Sequence, residues 1–162
     1  MSTSALFADA RDRLAGLPRE QLGELVEPRR VLGVRRAPRI APRDQAWHLG
    51  VLLVADEHVS ATGEIVRSRE EARRGFTAES QRDRAALQAA AFRGGFEEGI
   101  AVHVGWRVLD LAAVDAGGSS GPLAMIDGKP HVRWSAAAGF VPLAGYLDER
   151  IGLLADPPRG AS

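Results

Sequence analysis

The chain has 162 residues, of which 45% are hydrophobic and 26% charged, and its 21 basic and 21 acidic side chains cancel. It contains no cysteine, which excludes disulfide frameworks, thiolate nucleophiles, zinc ribbons and iron–sulfur clusters. Its N-terminal segment lacks a basic start and a continuous apolar stretch, and no apolar run reaches about 18 residues. We therefore expect a cytoplasmic protein that does not enter a membrane.

Helical spacing of apolar residues predicts two short helices at the N-terminus. Phe7 and Leu14 lie on one helical face, and Pro18 opens a second segment that carries Leu22 and Leu25. We predict an N-terminal helical pair over residues 1–27, an α+β body over 28–156 and a flexible tail over 157–162. The length favours a single globular domain over residues 1–156.

Three strands and one helix are predicted next along the chain. Runs of β-branched and apolar residues between turn residues indicate strands at 31–36, 46–55 and 58–67. Ser80 and Asp83 then provide start signals for a helix over 80–93, and Gly94 with Gly95 ends it.

The second half of the chain repeats this order. A strand is predicted over 100–109, where apolar and polar residues alternate, and a hairpin over 123–134 turns at Asp127 and Gly128. Val132 is predicted on the buried, apolar face of this hairpin, and Trp134 continues that face. Apolar residues at helical spacing predict a last helix over 144–155, which ends before two prolines.

Two predicted hairpins resemble each other in sequence, LLVADEHV at 52–59 and LAMIDGKPHV at 123–132. The element order is then α-α-β-β-β-α-β-β-β-α, which is consistent with an internal β-β-β-α pseudo-repeat. Because short hairpins pair their strands antiparallel, we predict an α+β fold. Its helices pack on one or both faces of a mainly antiparallel sheet of about six strands.

Five basic or imidazole side chains form the predicted site. His103 and Arg107 alternate with the apolar residues of strand 100–109, and Lys129, His131 and Arg133 do so in the second hairpin. If helices cover the apolar face, all five emerge on the other face. Arginine forks and imidazole donors there favour a small anionic ligand, such as a carboxylate or phosphate. Alternatively, the same face forms a homodimer contact.

No metal, cofactor or catalytic motif accompanies this predicted face. The four histidines lie singly on separate predicted strands, without an HExxH spacing, and no phosphate-binding glycine motif is present. We therefore predict no metal site and no cofactor, and the sequence assigns no catalytic residue.

Three functions remain open from the sequence. The leading hypothesis is a non-catalytic binding or interaction domain, expected to be a homodimer, that uses one sheet face for dimerisation or for a small anionic ligand. The first alternative is a small hydrolase or isomerase with His103 or His131 as general base, aided by Glu97 or Glu98. The second is weak nucleic-acid binding through six arginines in the segment Arg29–Arg43, although that segment contains no aromatic residue and the chain is neutral.

Overall fold

The computed structural model describes residues 1–28, 32–34, 36–71, 75 and 78–160. These ranges contain α1 (Thr3–Leu14), α2 (Glu79–Arg93), α3 (Leu111–Asp115) and α4 (Leu143–Ala155). A mixed sheet contains β1 (Glu20–Val26), β2 (Arg39–Leu49), β3 (Leu52–Val54), β4 (Val59–Ala61), β5 (Glu64–Arg67), β6 (Ala101–Val104) and β7 (Arg107–Val108). A four-stranded antiparallel sheet contains β8 (Ser119–Ser120), β9 (Leu123–Ile126), β10 (Lys129–Ser135) and β11 (Gly139–Pro142). The α+β class is therefore confirmed.

The described chain divides into two compact units. Unit 1 consists of Met1–Arg19, Ala46–Ala61 and the described part of Arg107–Ser162, and unit 2 consists of the described parts of Glu20–Gln45 and Thr62–Trp106. Strand β2 contributes residues 39–45 to unit 2 and residues 46–49 to unit 1. The single domain over 1–156 stays a prediction.

Unit 1 contains the strands β8 to β11, in the order β11-β10-β9-β8, and the antiparallel run formed by the end of β2 with β3, β4 and β7. Its apolar core combines these strands with α1, α3 and α4. The buried core residues are Phe7, Ala10, Leu14, Trp47, Leu49, Leu52, Val54, Val59, Ala61, Leu109, Val114, Leu123, Val132, Leu143, Tyr146, Leu147 and Ile151.

Both predicted hairpins are present in unit 1. Strands β3 and β4 pair antiparallel across the first turn, and β9 and β10 pair across the second. Asp127 and Gly128 have φ angles of 50° and 73°, the two successive positive values that a tight two-residue hairpin turn requires. The two hairpins belong to different sheets, and the internal β-β-β-α pseudo-repeat stays a prediction.

The start of helix α1 is capped by a distant carboxylate. Asp115 accepts hydrogen bonds from the backbone N–H groups of Thr3 and Ser4, at 2.6 and 3.2 Å, and from the Ser4 hydroxyl at 2.9 Å. Partial burial raises the pKa of Asp115, but the hydrogen bonds from Thr3 and Ser4 outweigh this effect and hold the pKa below its ordinary value. The ionised carboxylate therefore stabilises the folded state.

We expect Asp115→Ala to lower the free energy of unfolding by about 1 to 2 kcal/mol at neutral pH, because helix donors lose their acceptor. The folded pKa is depressed, so this stabilisation is complete above the unfolded pKa of about 3.9 and is lost as pH falls through the folded value. Urea unfolding at pH 7 and at pH 2.5 measures both effects. Asp12→Ala, which removes an exposed acid of the same helix, should change stability by less than about 0.5 kcal/mol at either pH.

Unit 2 contains a smaller apolar core under helix α2. Strand β1 pairs parallel with β6, with Leu22 opposite His103, and β5 pairs antiparallel with β6. Alanines of α2 pack closely on the apolar side chains of these strands. The buried core residues are Ile40, Val66, Ala90, Ala91, Phe96, Val102 and Val104.

The predicted second N-terminal helix is wrong, because residues 20–26 form strand β1. Leu22 is buried whereas Leu25 is 45% exposed, as expected when residues three apart lie on opposite faces of a strand. A Cβ atom on Gly23 would lie 2.8 Å from Val102 Cγ1, so the missing side chain allows close packing. The parallel pairing of β1 with β6 makes the larger sheet mixed. The pairs β2–β3, β3–β4, β4–β7 and β5–β6 of that sheet are antiparallel, as predicted.

Each of the three long predicted strands is divided at a glycine. Gly50 separates β2 from β3 with φ 62°, and Gly105 separates β6 from β7 with φ 69°. Gly63 separates β4 from β5, and a Cβ atom there would lie 2.5 Å from the Gly105 carbonyl carbon. These divisions give the mixed sheet more strands than predicted.

Among the described residues, no helix is both long and apolar enough to cross a membrane.

Candidate functional site

The structure places the five residues of the predicted site on three strands. Lys129, His131 and Arg133 lie on β10 of unit 1, and Arg107 lies on β7, which belongs to the other sheet. His103 lies on β6 of unit 2. Three of the five residues therefore share one strand and one face.

His103 does not emerge at a solvent-facing surface, so the prediction of its position is wrong. Its exposed fraction is 0%, and Val102 and Val104 beside it are also buried. Strand β6 is thus covered on both faces. Polar and apolar residues alternate along it, but side chains on both of its faces are buried. The prediction also treated residues 100–109 as one strand, whereas Gly105 ends the alternation before Arg107.

The imidazole of His103 is hydrogen bonded to a carboxylate of the neighbouring strand. Its Nε2 lies 3.1 Å from Oε1 of Glu20 on β1, and the Glu20 side chain is 36% exposed. A carboxylate in this position orients the imidazole ring. The absence of a metal site stays a prediction.

The enzyme alternative needs a histidine that contacts substrate. His103 is buried, whereas Glu97 and Glu98, its proposed assistants, are exposed. His131 is partly exposed. Catalysis by either histidine stays a prediction.

The three basic residues of β10 lie on a sheet face between residues of β9 and β11. Lys129, Arg133, Phe140 and Pro142 on this face are exposed, and Ala124, Ile126 and His131 are partly exposed. On β9, Ile126 is opposite Lys129 and Ala124 is opposite His131. On β11, Pro142 is opposite His131 and Phe140 is opposite Arg133. We call this surface the β10 face, and its members are Ala124, Ile126, Lys129, His131, Arg133, Phe140 and Pro142.

The reverse side of the same strands anchors the β10 face to the core of unit 1. Val132 is fully buried and pairs with Leu123, which is also buried. Met125 and Val141 pack against this core, and helix α4 contacts β10 and β11. Alternation along β10 therefore directs its basic side chains away from the core.

A hydrogen bond determines which nitrogen of His131 faces outward as an acceptor. Its Nδ1 lies 2.8 Å from the carbonyl oxygen of Lys129. A carbonyl oxygen only accepts, so Nδ1 carries the proton and Nε2 holds the lone pair in the neutral ring. Protonation at Nε2 adds a second N–H donor and a positive charge to the β10 face.

Arg133 is held in place while much of its guanidinium group stays available. One terminal nitrogen donates to the Ala136 carbonyl oxygen at 3.1 Å, and the guanidinium lies over the Phe140 ring, 5.9 Å from its centroid. Arginine has five N–H donors, and this arrangement uses one of them. The remaining donors are suited to a bidentate contact with a carboxylate or phosphate.

Two other basic side chains of unit 1, Arg13 and Arg19, have acidic partners. Arg13 donates to Asp148 at 2.6 Å, which raises the pKa of the arginine. Arg19 donates to Asp56 at 2.9 Å, which lowers the pKa of that carboxyl, and its guanidinium lies 3.8 Å from the Trp47 ring centroid.

By contrast, Lys129 and Arg133 make no ion pair with any residue that the structure describes. The β10 face thus carries positive charge that the described chain leaves uncompensated.

Part of the predicted nucleic-acid segment cannot be compared with this face. Some residues of this segment, and of the strand predicted within it over 31–36, lie outside the described residues: Arg29, Arg30, Val31 and Arg35. Within unit 2, Arg43 forms an ion pair with Glu24. Nucleic-acid binding through this segment stays a prediction.

Sequence reasoning missed the apolar members of the β10 face and misplaced one aromatic residue. Phe140 is 42% exposed, and the turn signal at Gly139 could have placed it on a third strand beside β10. Trp134 was predicted to continue the buried face but is 43% exposed. A register shift between Arg133 and Ser135 interrupts the two-residue alternation there.

Comparisons with known proteins found no matching family model, no similar curated protein and no similar solved structure.

Proposed function

We propose that this chain is a non-catalytic binding protein whose β10 face binds anionic groups. The observation that supports the proposal is the row of Lys129, His131 and Arg133, which project from one strand without an acidic partner in the described chain. Because the reverse face is packed in the core, the row is held on a rigid support. Carboxylates and phosphates are the groups that such donors recognise.

The double substitution Lys129→Ala with Arg133→Ala tests this proposal. Exposed ion pairs contribute about 0.5 to 1 kcal/mol each, so loss of two contacts should weaken anion binding by about tenfold. Titration of the full chain with hexaglutamate and with tripolyphosphate, followed by NMR shifts of the β10 amide signals, measures the change. Binding should also weaken as salt rises.

A matched control removes two exposed arginines elsewhere. Arg82 and Arg84 lie on the exposed part of helix α2 in unit 2, so Arg82→Ala with Arg84→Ala removes the same charge from another surface. This variant should bind both probes as the wild type does. Equal weakening in the two double variants would show that only net charge matters and would refute a site on β10.

A further inference from the structure

We infer that the anionic partner of the β10 face is an extended acidic protein segment with glutamates at every second residue. This inference rests on the proposed anion-binding function and adds the chemistry and conformation of the partner. Three features support it: the spacing of the basic side chains, their apolar surroundings, and the small aromatic content of the face.

The spacing of the basic residues matches the repeat of an extended peptide. Lys129, His131 and Arg133 occupy alternate positions of one strand, which places successive members about 6.8 Å apart. An extended peptide has the same repeat, and its alternate side chains point to one side. Carboxylates at alternate residues can therefore meet Lys129, Arg133 and the protonated form of His131 without a change of backbone conformation in either chain.

We call Lys129, His131 and Arg133 the basic strip. The residues on either side of this strip favour glutamate as the acidic residue of the partner, because they can contact its methylene groups. Ile126 and Ala124 flank the strip on β9, and Pro142 and Phe140 flank it on β11, each row about 4.8 Å away. None of these four side chains carries a charge that would repel an acid. The methylene groups of glutamate can pack on them while the carboxylates reach the basic groups, a contact that a phosphate backbone does not offer.

A single-stranded nucleic acid fits the same surface less well. Binding of single strands depends on aromatic side chains that stack on successive bases. Phe140 is the aromatic member of the β10 face, and the Arg133 guanidinium already lies over its ring. The chain also has no net charge and a pI near 6.9, so it lacks the excess of basic residues that nucleic-acid binding proteins show.

The test compares three probes of similar length with the full chain at low salt. The first is a threonine heptapeptide with glutamate at the second, fourth and sixth positions. The second is its isomer with the three glutamates adjacent, and the third is a heptameric oligothymidylate. The isomer directs neighbouring carboxylates to opposite sides, so it loses one of three contacts and should bind about threefold more weakly or worse.

We expect the alternating peptide to bind most tightly of the three probes. We also expect its advantage over the isomer to disappear in the Lys129→Ala with Arg133→Ala variant but to persist in the Arg82→Ala with Arg84→Ala control. Equal binding of the two peptides, or tighter binding of the oligonucleotide, would overturn the inference. A dimer detected by light scattering and dissociated by the β10 variant would overturn it too, because a second copy would then occupy the face. The proposed function fails separately, if none of the three probes shifts the β10 amide signals.

Discussion

Replacing Gly94 by alanine is expected to lower the free energy of unfolding by at least about 3 kcal/mol. Gly94 ends helix α2 with an ordinary φ of −75°, so backbone strain is not the reason. A Cβ atom there would overlap the carbonyl oxygen of Ile40 and lie 2.6 Å from its carbonyl carbon. The obstacle is strand backbone, which cannot rotate away as a side chain can, so the helix end and β2 must separate.

Urea denaturation measures this loss, and a matched substitution shows whether it is specific. Gly152 lies in helix α4, where a Cβ atom would meet nothing within 4 Å. Gly152→Ala should therefore be neutral or stabilise the protein by up to about 1 kcal/mol, because alanine is the better helix former. If Gly94→Ala unfolds at the urea concentration of the wild type, the helix end does not approach the strand as closely as described.

Periodicity in the sequence is a sufficient guide to elements that depend on a few neighbouring positions. Helices α1, α2 and α4 and the two hairpins were predicted because their apolar spacing or turn residues act over a few neighbouring positions. Asp127 and Gly128 illustrate this, since their positive φ angles follow from residue type. These elements are determined by local preferences that tertiary contacts do not override.

Periodicity does not predict the strand ends that occur at glycines. A glycine inside an apolar run is compatible with a continuous strand, yet Gly50 and Gly105 adopt positive φ and end their strands. Gly23 lies within a strand and fits against Val102 because it has no side chain. Which of these roles a glycine takes depends on residues distant in the sequence, so one sequence does not distinguish them.

The candidate site could be predicted to the extent that alternation continues without interruption. Lys129, His131 and Arg133 share a face because β10 is regular up to Arg133. His103 was misplaced because alternation gives the face of a strand but not what covers that face. Burial of a polar strand residue depends on long-range packing. The sequence pattern of a single strand gives no information on that packing.

A second large effect is expected at the turn between β2 and β3. Gly50→Ala should lower the free energy of unfolding by about 3 kcal/mol, because a Cβ atom would overlap the hydroxyl of Tyr146 and lie 3.1 Å from its ring carbon Cζ. That hydroxyl accepts from the Val51 N–H at 2.9 Å and donates to the Leu49 carbonyl at 3.0 Å. Tyr146 is buried, and its hydroxyl bonds both residues that flank Gly50, so a displacement that makes room for the Cβ atom weakens these two bonds.

Tyr146→Phe alone should cost about 1 to 3 kcal/mol, because it leaves the Val51 donor and the Leu49 acceptor without the hydroxyl. It also removes the atom that the alanine would overlap. The double variant Gly50→Ala with Tyr146→Phe should therefore be more stable, by about 1 to 2 kcal/mol, than the sum of the two single losses predicts. Urea unfolding of the four proteins in this cycle measures that coupling.

Gly139 provides the control that separates steric overlap from backbone strain. It has φ 77°, but a Cβ atom there would meet nothing within 4 Å, so Gly139→Ala should cost only the roughly 1 to 2 kcal/mol of a left-handed conformation. The stability lost in Gly139→Ala should add to that lost in Tyr146→Phe without coupling, because a Cβ atom on residue 139 would not contact the tyrosine. If Gly50→Ala and Gly139→Ala have equal effects and both add to Tyr146→Phe, strain alone explains the cost at residue 50. The tyrosine hydroxyl would then not be the group that requires glycine in this turn.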